Sequence, residues 1–115
     1  MKFLLLLHGD AAAEAAMTDD DRRAIVDQHV AFGRLLSERG ARISGEALAP
    51  PETGRTIRFD GDRMLVTDGP FLETKEALGG FYVIEAASID AAIDLVRSVP
   101  RSPGLVAELR PIVDM

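Results

Sequence analysis

The 115-residue sequence contains no cysteine, so a disulfide, a thiolate nucleophile and a cysteine-ligated zinc site are all excluded. Basic residues are also few: 13 lysines and arginines stand against 19 aspartates and glutamates, which gives a formal net charge of −6. The basic residues form no run, so the patch by which many proteins bind nucleic acid is missing. We therefore expect no direct nucleic-acid partner.

Long hydrophobic runs and ligand-binding signatures are missing as well. The N-terminal apolar run, "FLLLL", is too short for a signal-peptide core or a membrane span. Neither GxGxxG nor GxxxxGK[ST] occurs, and the two histidines have neither HxH nor HExxH spacing. We expect a cytoplasmic protein without a membrane segment, a cofactor or a metal site.

The residues that are present predict one domain with four main strands, two helices and a hairpin. The strands are predicted at Lys2–His8, Ala41–Ala49, Gly80–Ala86 and Leu105–Val113, the helices from a Thr18 cap to Arg39 and from a Ser88 cap to the residues before Pro100, and the hairpin at Thr56–Phe59 and Arg63–Thr67 around Asp60-Gly61. This order is βαββαβ with an inserted hairpin, in which the first and third main strands are central. The last strand contains Pro111 and is expected at an edge.

Two helices can cover only one face of a four-stranded sheet, so the other face needs a partner. An exposed apolar face of that size usually marks an interface. Packing that face against a second copy is the simplest solution. We therefore predict a homodimer.

Imidazole chemistry depends on His8 and His29, which are the only histidines. The first long helix is predicted to turn an apolar stripe toward the core, consisting of Ile25, Val26, His29, Phe32, Leu35 and Leu36. A histidine on that stripe is either a core residue with a satisfied hydrogen bond or a general acid or base, which needs a carboxylate to fix its tautomer. His8 ends a central strand, where an ordinary structural role is the main alternative.

The candidate carboxylate is Asp68, in the stretch "VTDGPFLETKEALGGFYVIE" from Val66 to Glu85. An Asp-Gly-Pro triplet by itself is typical of a turn, because Asp and Pro favour turn positions. The charged residues that follow, Glu73, Lys75 and Glu76, are most simply a solvated loop. Glu108 and Arg110 share one face of the last strand, where an exposed pair contributes little.

These residues resemble a known family over nearly the whole chain. The stretch from Val66, together with "MKFLLLLHGD", "HVAFGRLL", "GEALAPPETG" and "ELRP", is similar to the DGPF branch of the YCII-related proteins. The resemblance implies a ferredoxin-like α+β fold that dimerises into an α/β barrel. It also implies an active site in which the helix histidine pairs with the motif aspartate, here His29 and Asp68.

Members of this family resemble muconolactone isomerase-like enzymes in fold, and a relative acts as a chloromuconolactone dehalogenase. DGPF-type proteins are also often encoded beside extracytoplasmic-function sigma factors. In this interpretation Gly69 and Pro70 belong to the substrate site, Phe71 lines an apolar wall, and Lys75 or Arg110 binds a substrate carboxylate. A packed aromatic ring and solvated cations are the alternative.

Two functions follow. The first is a small cofactor-free enzyme, an isomerase or lyase, that uses His29 and Asp68 for acid–base chemistry on a small carbonyl or lactone compound. The second is a non-catalytic module that binds a sigma factor or another protein. A histidine within reach of a partner and facing a cavity favours the enzyme, whereas a histidine sealed in apolar packing disfavours it.

Overall fold

A computed structural model describes all 115 residues and has six strands and three α-helices. The strands are β1 (Lys2–Asp10), β2 (Arg42–Ala47), β3 (Arg55–Asp60), β4 (Arg63–Asp68), β5 (Glu76–Glu85) and β6 (Val106–Pro111), and the helices are α1 (Ala11–Ala15), α2 (Asp19–Glu38) and α3 (Ile89–Val96), with a 3₁₀ turn at Pro51–Thr53. The predicted α+β class is confirmed, and the fold is ferredoxin-like.

The start of α2 follows directly from its sequence. Thr18 Oγ1 accepts a hydrogen bond from the Asp21 amide, and the Thr18 amide donates to the Asp21 carboxylate, so the two residues form a capping box. Three aspartates in the first turn, at positions 19 to 21, oppose the positive end of the helix dipole. The helix stops before Gly40, whose φ of 65° is accessible to glycine at little cost.

Four strands form one antiparallel sheet in the order β2-β5-β1-β6. The predictions that β1 and the third main strand lie in the centre and that the last strand lies at an edge are confirmed. The β1 side chains alternate across the sheet, with Phe3, Leu5 and Leu7 buried on one face. Phe32 and Leu36 of α2 pack in the same core, as do two residues of α3. Both α2 and α3 therefore cover one face and leave Leu4 and Leu6 half-buried on the other.

Several predicted boundaries need correction. β5 begins at Glu76, four residues before the expected Gly80, because its first residues continue the ladder with β1. β2 is shorter than the predicted Ala41–Ala49. The segment after β1 forms the additional helix α1, with Asp10 as its N-cap. Val26, assigned to the core-facing stripe, is 59% exposed instead.

The predicted hairpin around Asp60-Gly61 is confirmed, but it does not join the main sheet. β3 and β4 pair only with each other, and none of their residues is buried. We call residues Arg55–Asp68 the arm. The Cα radius of gyration is 16.0 Å, whereas a compact chain of this length has about 13 Å. The arm therefore extends away from the body of the domain.

None of the helices combines the length and the apolar character required to cross a lipid bilayer.

Candidate functional site

A cavity of about 650 Å³ lies between α2 and the helix-covered face of the sheet. Helix α2 contributes Val26, His29, Val30 and Arg34 to its wall. Arg42 of β2 and Tyr82 of β5 line it from the sheet. The cavity therefore combines an apolar wall with one imidazole, one phenol and two guanidinium groups.

His29 and Tyr82 form the centre of this site. The His29 Nδ1 atom lies 2.8 Å from the Tyr82 hydroxyl oxygen, and the two rings stack with centroids 6.0 Å apart and an angle of 19° between their planes. Phe32 packs edge-on against Tyr82 at 5.2 Å, an arrangement that aromatic pairs favour. Tyr82 is only 8% exposed, so its position is set by packing.

A glycine in β2 makes room for the tyrosine. Gly45 lies opposite Tyr82 in the β2–β5 ladder. A Cβ atom at Gly45 would lie 2.5 Å from Cδ1 of the Tyr82 ring, closer than a side chain allows. The phenol ring therefore occupies the space that a side chain at position 45 would need.

A glycine on α2 has a similar effect on Arg42. A Cβ atom at Gly33 would lie 3.4 Å from Arg42 Nε, so the guanidinium side chain passes close to the helix at this point. Neither Arg42 nor Arg34 forms an ion pair; the arginines that do are Arg22, Arg23, Arg55, Arg97 and Arg110. The cavity thus has two guanidinium groups that form no ion pair with a protein carboxylate. Two carboxylates, Glu14 and Glu46, also line the cavity.

Burial shifts the pKa values of the central pair in opposite directions. Desolvation lowers the pKa of His29 from 6.5, so its imidazole is neutral at physiological pH. Desolvation also raises the pKa of Tyr82 from 10.0, and the positive charge of Arg42 offsets part of that increase. The pair is therefore a neutral imidazole and a neutral phenol. Burial likewise raises the pKa of Glu14, against a hydrogen bond from Ser102 that lowers it.

The second ring nitrogen of His29 remains available. Nδ1 makes the hydrogen bond to Tyr82. Every buried side-chain nitrogen or oxygen in the structure has a hydrogen-bond partner. Since Nε2 has no protein partner, it must be accessible, and His29 lines the cavity. When Nδ1–H donates to the tyrosine oxygen, Nε2 carries a free lone pair and can act as a base. That bond persists when the ring becomes protonated, so the pair can both accept and return a proton.

The structure does not bring His29 and Asp68 together within one chain. Asp68 is the last residue of β4, and its carboxylate lies 3.1 Å from Arg55 Nε at the base of the arm. Its side chain is 90% exposed. Within one chain, the partner of His29 is Tyr82.

The remaining sequence-derived site residues lie outside the cavity wall. The Gly69 amide donates to the Gly54 carbonyl oxygen at 3.0 Å, and Pro70 follows it on the surface. Phe71 is 66% exposed with the Arg58 guanidinium 4.9 Å from its ring centre. Lys75 lies 3.9 Å from the Asp10 carboxylate.

Arg110 and His8 lie on the sheet face that α2 and α3 leave uncovered. Arg110 donates to Glu108 at 2.7 Å, which confirms the expected pair on β6; Arg110 is exposed and Glu108 is half-buried. His8 Nε2 is 3.8 Å from the other Glu108 oxygen. The group formed by His8, Glu108 and Arg110 is therefore separate from the His29 cavity. No group of three His, Asp or Glu side chains has a metal-binding arrangement.

Sequence reasoning missed Tyr82, Arg34 and Arg42. A signal for Tyr82 existed: it is the only tyrosine, and a buried phenol needs a hydrogen-bond partner. Arg34 follows His29 by five residues. Neighbours on one helix face are three or four residues apart, so this spacing did not indicate that Arg34 shares the site. Arg42 stands at the start of a strand next to a bulge and gave no signal.

The chain is a small ferredoxin-like α+β domain, with a four-stranded antiparallel sheet and helices on one face. Its pocket is centred on a histidine beside an open cavity. The family model described as "YCII-related domain" matches residues 1–115, and the chain belongs to this family. An uncharacterized protein, R00369, from Rhizobium meliloti (strain 1021) is 31% identical over 114 residues, which cover 97% of this chain and 92% of that protein. The similarity extends over the whole domain.

Proposed function

We propose that this chain is a small acid–base enzyme, of the isomerase or lyase kind, that acts on a carbonyl or lactone compound carrying a carboxylate. The observation that supports the proposal is the position of His29: it lines the cavity, one ring nitrogen bonds to Tyr82, and the other ring nitrogen has no protein partner. A neutral imidazole with one fixed and one free nitrogen is suited to general base catalysis. A histidine sealed in apolar packing would not have this property.

The two arginines favour an anionic substrate. Arg34 and Arg42 line the cavity without forming an ion pair in the protein. A guanidinium group binds a carboxylate through two parallel hydrogen bonds, which fixes the orientation of the substrate as well as its position. Val26 and Val30 supply an apolar wall for the carbon skeleton.

The proton transfer needs no external reactant. His29 Nε2 takes the proton from the carbon next to the substrate carbonyl, and the electron pair of that C–H bond moves to the carbonyl oxygen to form an enolate. In a substrate whose C=C is conjugated with this enolate, the imidazolium returns the proton to the far carbon of that C=C, the carbonyl double bond re-forms, and the C=C shifts by one bond into conjugation with it. In this mechanism Nδ1 carries a proton in both protonation states of the ring and donates it to the Tyr82 oxygen, 2.8 Å away, which holds the ring in place.

The proposal is tested by thermal-shift screening of small carboxylates and lactones. A ligand that binds only the native state raises the melting temperature. We expect at least one small carboxylate to do so, and Arg42→Gln to weaken its binding about 10-fold or more, because a charge-assisted hydrogen bond is lost.

Arg39→Gln is the matched control. It removes the same charge from a position that does not line the cavity. Undiminished binding by Arg42→Gln, or equal weakening by both variants, would show that the cavity arginine does not hold the anion. A screen in which no carboxylate or lactone raises the melting temperature would contradict the proposal as a whole.

A further inference from the structure

The arm has one apolar and one polar face. Residues paired across an antiparallel hairpin point to the same side, so the register decides which side chains share a face. One face carries the pairs Ile57–Val66 and Phe59–Met64. The other face carries the pairs Thr56–Thr67, Arg58–Leu65 and Asp60–Arg63. This alternation is typical of an antiparallel sheet that packs its apolar face against another surface and exposes its polar face to solvent.

Nothing in the same chain covers the apolar face. Ile57 is 52% exposed, Phe59 74%, Met64 60% and Val66 53%. Together they present on the order of 400 Å² of apolar surface, a size at which an exposed patch marks an interaction site. An isolated two-stranded hairpin is also only marginally stable in water, so the arm needs a surface to pack against.

The connections to the body hold the arm away from its own domain. The Leu48 amide donates to the Gly79 carbonyl oxygen, and the Ala11 amide donates to the Lys75 carbonyl oxygen, so both connections are fixed where they leave the body. The Gly69 amide joins them at the base of the arm by its bond to the Gly54 carbonyl oxygen. Between these points the chain passes through Pro50, Pro51 and Pro70, whose φ angles are fixed by their rings. The arm therefore has little freedom to fold back.

An exposed apolar surface, which could receive the apolar face of the arm, lies at the mouth of the His29 cavity. Val26 and Val30 of α2 are 59% and 56% exposed, and Leu48 across the cavity is 44% exposed. Val26 and Val30 are one helical turn apart and share a face. This surface is also unpaired within the chain.

We propose that the arm docks through its apolar face on the Val26–Val30 face of α2 in a second copy of the chain, so that each cavity is closed by the arm of the other chain. Because two copies related by a two-fold axis exchange arms, the contact is made twice. If each receiving surface loses as much area as the arm face that covers it, the two contacts together bury on the order of 1,600 Å², which is the area of a standard stable interface. The docking stands on these exposed surfaces alone, whereas the closure of a reaction site also rests on the function proposed above.

The first experiment measures mass by light scattering on the full chain. We expect two copies in the native protein, and a dimer weakened about 100-fold or more in Phe59→Ser/Met64→Ser, because two apolar side chains are lost from each arm. Arg63→Ser/Thr67→Ser changes the polar face of the same arm and should leave the mass unchanged. A monomeric native protein, or a dimer that both double variants retain, would overturn the proposal. Circular dichroism shows whether each variant is folded.

The second experiment identifies the docking surface, and the absence of cysteine makes it direct. The single variants Met64→Cys and Val30→Cys are mixed and treated with a short bismaleimide. We expect a cross-linked heterodimer between the two variants. Met64→Cys mixed with Ser98→Cys should give none, because Ser98 follows α3 and lines a separate surface depression that does not include Val26 or Val30.

An intramolecular cross-link in the double variant Met64→Cys/Val30→Cys, without any cross-linked dimer, would show closure by the chain's own arm and would overturn the exchange. A dimer without the Met64–Val30 cross-link would show self-association through the open sheet face alone, which also contradicts the proposal. Neither experiment uses a substrate, so their outcome is independent of whether His29 is a general base.

Discussion

The His29 Nδ1 atom lies 2.8 Å from the hydroxyl oxygen of Tyr82, the only tyrosine of the chain. This bond joins α2 to the centre of the sheet and fixes the imidazole ring beside the cavity. Removing the hydroxyl by Tyr82→Phe should lower the free energy of unfolding by about 1 kcal/mol, the net contribution of one such hydrogen bond. It should also free the imidazole to exchange between its two tautomers.

Denaturant unfolding and ¹⁵N spectra of the histidine ring measure the two effects of Tyr82→Phe. His8 serves as an internal control in the spectra, because it lies on the other face of the sheet and has no contact with Tyr82. An unchanged tautomer ratio at His29 together with unchanged stability would mean that the bond does not hold the ring.

Protonation of His29 should destabilise the fold at low pH. Its folded-state pKa lies below the ordinary 6.5, so between these two values the unfolded chain binds more protons. Stability should therefore fall as the pH drops from about 6.5 toward the folded-state pKa, with no contribution from this group above that window.

Glu14 also lines the cavity, and its raised pKa has the opposite effect on the pH dependence of stability. Because the folded chain binds this proton more tightly than the unfolded chain, stability falls as the pH rises above 4.5. The difference between the native protein and His29→Asn isolates the histidine, because Glu14 is common to both. Urea unfolding between pH 5 and 8 measures this difference. Parallel stability curves for the two proteins would contradict the lowered pKa.

Gly45→Ala should displace Tyr82. The new Cβ would lie 2.5 Å from the tyrosine ring, so the ring must shift and the His29 bond must lengthen or break. We expect a loss of about 1–3 kcal/mol, as is usual when a packed site is overfilled. Gly79→Ala is the matched control, since the nearest atom to its added Cβ, the Leu7 carbonyl oxygen, lies 3.8 Å away. Equal stability of the two variants would show that the tyrosine has room to move.

The ion pair at the base of the arm should contribute little to stability. Arg55 and Asp68 are 3.1 Å apart, but both side chains are more than half exposed and screened by solvent. A double-mutant cycle with Arg55→Gln and Asp68→Asn should give a coupling free energy below about 1 kcal/mol. A coupling well above this value would mean that the pair is buried in the protein as it exists in solution.

Local sequence signals predicted most of the fold. The Thr18 cap, the Asp60-Gly61 turn and the continuous apolar run at β1 each depend on neighbouring residues, and the elements they predict all occur, although β1 is fully buried on one face only. The order of the strands followed from their apolar character. The failures came from tertiary context: Val26 has helical spacing with the core residues but lies at the cavity mouth, where nothing in the chain covers it.

The candidate site was only half predictable. His29 could be found from its position on the apolar stripe, which requires a polar partner. The identity of that partner could not, because Tyr82 is 53 residues away and meets His29 only through the packing of α2 on β5. The resemblance to DGPF-type sequences pointed instead to Asp68, which in one chain lies on the arm.

The central claim is that His29 transfers a proton to and from carbon. The most direct test uses the carboxylates identified by thermal shift, incubated with the protein in D₂O and followed by ¹H NMR. We predict that the native protein exchanges the proton next to the carbonyl for deuterium and that His29→Asn, folded and able to bind, does not. Bound ligands that incorporate no deuterium, or incorporation that continues unchanged in His29→Asn, would contradict this account.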